Sequence, residues 1–101
     1  MSDIKTDEET IEVIVVHHED VDITEVVCPS VVAEGEVFSL TYVLANNGSM
    51  ENCYADVKVN GLIVDRHDPV ILPGSTEPMT TMITSPVTGN MTIVIEAGYT
   101  D

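Results

Sequence analysis

Basic residues are nearly missing from this chain: three Lys and Arg stand against eighteen Asp and Glu, a formal charge of −15 on 101 residues. Nucleic-acid binding needs clustered Lys and Arg against phosphates, so that class is excluded, and attraction to anionic membrane surfaces is disfavoured on the same ground. Such a charge favours solubility, and an acidic surface can also recruit cations or a basic partner. Aromatic residues are scarce as well. They make up 4% of the chain, Trp is absent, and hydrophobic residues as a whole reach 44%. The core must then be built from Val, Ile, Leu and Met, whose β-branched members favour strands. No apolar run approaches the length of roughly 20 residues that a spanning helix needs. The opening MSDIKTDEET lacks the basic and apolar regions of a signal peptide, so export would depend on a segment outside this chain.

Catalytic patterns are missing too. Ser, Cys and His occur, but no Gly-x-Ser-x-Gly elbow places a nucleophile. No Asp-x-Asp-x-Asp-Gly run supplies the converging oxygens of a calcium loop. Two cysteines, Cys28 and Cys53, flank a long central strand, one before it and one after it. An up-down-up course separates them by the length of that strand, beyond disulfide reach, so two separate thiols are expected.

What is present is a strong strand pattern. From Phe38 the sequence alternates, with Phe38, Leu40, Tyr42 and Leu44 on one face and Val37, Ser39, Thr41 and Val43 on the other. Ala33-Glu34-Gly35-Glu36 turns into this strand and Asn46-Asn47-Gly48-Ser49 ends it. Cys53, Ala55, Val57 and Val59 alternate inward in the next strand. Asn60-Gly61 then fits a type I′ hairpin, because both central positions need positive φ. A two-residue loop there sets Val59 opposite Leu62 and Val57 opposite Val64, which turns Leu62 and Val64 inward. His67-Asp68-Pro69 should break the ladder. Met79, Thr81 and Ile83 share a face in the following strand, where Pro78 marks an edge or a strand start. Met91, Ile93 and Ile95 face inward in the last strand.

Upstream, residues 1–10 read as a flexible acidic tail. Ile11–Val16 and Val21–Val27 are two strands, or one long strand bent at His17-His18-Glu19-Asp20. With turn signals about every ten residues and no helical periodicity, residues 11–101 form a single all-β domain, an antiparallel β-sandwich of about seven strands.

Four pieces in order carry a family resemblance: Asp22-Ile23 leading into Pro29, Ala33-Glu34-Gly35-Glu36, Asn46-Asn47-Gly48 and Leu72-Pro73-Gly74-Ser75. Over about Val21 to Glu96 the chain resembles CARDB, the cell-adhesion-related domain of bacteria and archaea. Met91 stands where that family tends to have an aromatic, and Ile11–Val16 is extra. The resemblance implies an immunoglobulin-like or fibronectin-III-like fold. It also implies a non-catalytic surface module, acting as spacer or adhesion unit, with no catalytic residues and no cofactor.

His17-His18-Glu19-Asp20 with Asp22 is the best chemical cluster. Adjacent His residues on extended chain point to opposite faces, so His18 with Asp20 is the pair that could share an ion, against a plain solvated loop. His67-Asp68 reads first as a polar turn. Cys53, on an inward face, reads as an apolar filler. Asn47-Gly48-Ser49 and Asn90-Met91-Thr92 match the glycosylation acceptor pattern, as turn-rich chains often do.

The expectation is therefore a non-enzymatic interaction, adhesion or spacer module of a cell-surface or exported protein, with a protein or glycan partner. A structural domain of a virion or surface appendage and an acidic metal-binding domain are the alternatives. An exposed edge at Ile11–Val16 could add to another chain by strand pairing.

Overall fold

The Asn60-Gly61 turn shows how directly local chemistry sets this fold. Both residues have positive φ, 50° and 90°, and the strands on either side fold back with Val59 opposite Leu62. The structure, a computed structural model, describes residues 8–33, 35–85 and 90–100. Among the described residues eight strands run in order: β1 Glu8–His17, β2 Val21–Val27, β3 Val31–Ala33, β4 Val37–Asn46, β5 Cys53–Val59, β6 Leu62–His67, β7 Thr76–Thr84 and β8 Asn90–Tyr99. They form a five-stranded sheet, β3-β1-β8-β5-β6, and a three-stranded sheet, β2-β4-β7. The protein is an all-β, two-sheet sandwich.

Period-two burial operates as the pattern requires. Phe38, Leu40, Tyr42 and Leu44 of β4 are buried, as are Cys53, Ala55, Val57 and Val59 of β5 and Met91, Ile93 and Ile95 of β8. With Ile11, Val21, Val32, Ile71, Ile83 and Ala97 they make one core cluster. Thr81 and Ile83 of β7 are buried on the same face, with Met79 partly buried beside them. Pro78 lies on β7, an edge strand, where its missing N–H breaks no ladder on the outer side.

Four expectations need correction. The strand count among the described residues is eight, because Val31–Ala33 pairs with Glu8–Thr10 and because β1 and β2 lie in different sheets. Residues 8–10, expected within the tail, belong to β1, and residues 1–7 of that expectation lie outside the described residues. The sandwich is not wholly antiparallel: β1 runs parallel to β8 over Thr10–His17 and Asn90–Ala97. No hairpin joins those two strands, so no turn dictates their relative direction. Instead the linker after His17 sits beside the far end of β8, where the His18 N–H donates to Ala97 O at 2.8 Å.

The fourth correction lies in β6. Its register against β5 slips between Val57 and Lys58, so that Val57 faces Asp65 and Lys58 faces Ile63. Val64 is thus the extra residue of a β-bulge, and a one-residue insertion reverses every later side chain. Val64, expected inward, is 50% exposed; Leu62, before the bulge, keeps its expected register opposite Val59 but is 73% exposed at the hairpin end. Asp65 and His67 take the inward positions, and His67, expected in a break, belongs to the strand.

Candidate functional site

The bulge creates the most distinctive surface of the molecule. β6 ends one sheet and β7 ends the other, and among the described residues neither has a strand on its outer flank. Between the Val59–Val64 hairpin and Met82–Thr84 lies an apolar cleft of about 480 Å³. Leu62, Val64 and Met82 line it and are half or more exposed, with no charged side chain among the lining residues. On a chain this acidic, an uncharged apolar strip at a sheet edge stands apart from the rest of the surface.

Farther along β6 the two edges are joined by a polar clasp. The Thr81 hydroxyl donates to Asp65 Oδ2 at 3.0 Å, and His67 Nε2 lies 3.2 Å from both Thr81 Oγ1 and Asp65 Oδ2. Asp, His and Thr together suggest a hydroxyl nucleophile, but the geometry does not serve that chemistry. A relay needs the carboxylate on one imidazole nitrogen and the hydroxyl on the other, whereas here both sit at Nε2 and the hydroxyl proton points to the carboxylate. Thr81 is also buried. The clasp holds edges together.

Beneath it, the Tyr42 hydroxyl is buried near Thr81 and, among the described residues, makes no well-formed hydrogen bond. Burial first, then the Asp65 carboxylate, pushes its pKa up to about 12, against a smaller opposing effect of Thr81. The Tyr42 and His67 rings are 6.4 Å apart and tilted by 60°.

The His17–Asp22 segment does not assemble an ion site. The two imidazoles diverge as alternation demands, His17 toward Asp22 at 3.4 Å and His18 toward Glu96 on β8 at 2.7 Å. His18 and Asp20, the pair singled out from sequence, do not converge. Asp20 instead accepts the Asn47 N–H through its backbone carbonyl, and Asp22 accepts the Asn47 side-chain amide. Among the described residues no group of three or more His, Cys, Asp or Glu could hold a metal.

Glu96 is the centre of the charged outer face. It accepts from His18 and from the Lys58 amine at 3.0 Å, and these two in that order hold its carboxyl below the ordinary glutamate value. Nearby, Arg66 reaches Asp56 at 3.2 Å and Asp68 at 3.1 Å and lies 4.8 Å over the Tyr54 ring. Lys58 and Arg66 are thus committed to carboxylates, while Lys5 lies outside the described residues. Cys28 and Cys53 are free thiols whose pKa burial pushes up, which leaves both as poor nucleophiles at neutral pH.

Sequence reasoning missed Asn46. Read as a turn residue, it is fully buried, and its amide donates to Met50 O at 2.5 Å and Ile71 O at 2.6 Å. Its carbonyl accepts from Gly48 N at 3.1 Å and Tyr99 Oη at 2.6 Å. The turn itself needs Gly48, because a Cβ there would overlap Tyr99 Oη and press on Asp20. The Asn-Asn-Gly sequence signals a turn; partners at positions 71 and 99 leave no local signal.

These features define a class: an all-β sandwich with two unpaired edges around an apolar cleft. Comparison with family models, curated proteins and solved structures finds no match.

Proposed function

We propose that this chain is a non-catalytic interaction or spacer module of a cell-surface or exported protein, built as an immunoglobulin-like sandwich of the CARDB kind. The arrangement of β2, β4 and β7 opposite β6, β5 and β8 is consistent with strands A, B, E and C′, C, F of such a module. The observation that carries the reading is the uncharged strip of Leu62, Val64 and Met82 between two unpaired edges. It suits an extended segment of a protein partner, with main-chain pairing to an edge and apolar side chains in the cleft. A glycan would instead use the polar face around Tyr54 and Arg66.

The location is tested on cells of the native host with an antibody against this domain. Protease treatment of intact cells is expected to abolish the signal; a signal lost only after lysis contradicts a surface module.

A structural domain of a virion or appendage is the second reading, favoured by β1. Beyond Thr10, the flank of β1 away from β8 has no strand among the described residues, and Ile14 and Val15 are 41% and 39% exposed. Electron microscopy of the concentrated chain tests it: ordered polymers favour assembly, and dispersed particles favour the spacer module.

A further inference from the structure

We propose that β1 is an exchangeable strand: the slot beside β8 that it fills in its own chain is filled, in a reciprocal dimer, by the β1 of a second copy. The inference goes beyond the surface-module reading and holds wherever the protein resides.

The first ground is attachment. β3 reaches only Glu8–Thr10, with one further bond from Ile11 N to Ser30 O, so from Glu12 to His17 a single ladder, to β8, holds β1 in place. β8 and β5 each have a ladder on both sides. Withdrawing β1 breaks the short β3 ladder at Glu8–Thr10 and the β8 ladder, and leaves the pairings of β5 with β6 and β8 and of β4 with β2 and β7 intact.

The second ground is the hinge. His18-Glu19-Asp20 turns the chain from one sheet into the other, and Glu19 sits at φ 58°, a left-handed conformation that strains a residue bearing a Cβ. The turn closes on a long bond from Val21 N to His18 O, 3.4 Å. Opening it removes the strain and lets β1 and β2 run as one strand. Short strained hinges favour exchange for this reason.

The third ground is the slot. Met91, Ile93 and Ile95 of β8 are buried and need a neighbour, and in the parallel register they stand beside Ile11, Val13 and Val15. A second copy offers the same side chains in the same register. Exchange therefore regains the core contacts while releasing two hinges. The opposing term is repulsion between two chains of formal charge −15, so raised salt favours the dimer.

The test uses the full chain, concentrated, warmed briefly near its melting point, cooled, and sized by chromatography with light scattering. Glu19→Pro cannot take positive φ and keeps the hinge open, whereas Glu19→Gly closes without strain. Relative to the wild type, Glu19→Pro is expected to raise the dimerisation constant roughly a hundredfold and Glu19→Gly to lower it comparably, about tenfold per hinge. The dimer should survive dilution for hours, because β1 must leave a core to dissociate. Equal dimer content in wild type and Glu19→Gly overturns the proposal, even if Glu19→Pro fails to fold. Dissociation within minutes of dilution also overturns it, since that is the behaviour of copies paired edge to edge.

Discussion

Asn46 shows how much of this structure rests on one polar side chain. Its amide satisfies two carbonyls from separate loops, and its oxygen holds Tyr99 at the end of β8. Asn46→Ala leaves those groups buried without partners, and the expected loss is about 3 kcal/mol or more in denaturant unfolding. Tyr42 is the opposite case. Its hydroxyl is buried without a well-formed hydrogen bond among the described residues, so Tyr42→Phe is expected to leave stability unchanged or raise it by up to about 1 kcal/mol. Glu96 adds a pH dependence. Its folded pKa is lowered by His18 and then Lys58. Its contribution is present above the ordinary glutamate value and is lost as pH falls through the lower folded value. The stability difference between wild type and Glu96→Gln should therefore shrink as pH is lowered from about 5 to about 3. At this scale the sequence was legible for burial, since Phe38, Leu40, Tyr42 and Leu44 follow from alternation alone. The roles of Asn46 and Glu96 were not, because their partners are distant in the chain.

Among the elements, β6 departs furthest from its pattern. The hairpin was readable from Asn60-Gly61, but the bulge at Val64 was not. A run of Leu-Ile-Val offers no local preference between one register and its one-residue slip, whereas the inward bonds of Asp65 and His67 to β7 favour the bulged register. The consequence is an apolar edge that contributes little to the core. Leu62→Thr with Met82→Thr should change stability by less than about 0.5 kcal/mol per site, while weakening capture of any strand-like partner. Amide exchange should rank the strands by their neighbours: β5 and β8 slowest, and β6 and the Glu12–His17 part of β1 faster. The pairing of β1 was also beyond sequence reading. Its strand character was plain in IEVIVV, but nothing local says that such a strand lies parallel to β8.

For the molecule as a whole, charge and closure are the governing facts. A formal charge of −15 is carried on a small domain, and self-repulsion opposes the folded state until salt screens it. The melting temperature should rise by several degrees between about 20 mM and about 500 mM sodium chloride; no rise would mean that the carboxylates are too dispersed to matter. Closure depends on the N-terminal strand, which covers one side of β8 and supplies Ile11 to the core. The opposite side of the sandwich stays open between β6 and β7, where the partner surface is proposed.

The most direct test of this account is solution NMR of the β1–β8 ladder. Side-by-side parallel contacts are expected between Val13 and Ile93 and between Val15 and Ile95, in one chain or across an exchanged pair. An antiparallel pattern, or a β8 with no strand on that flank, would contradict it.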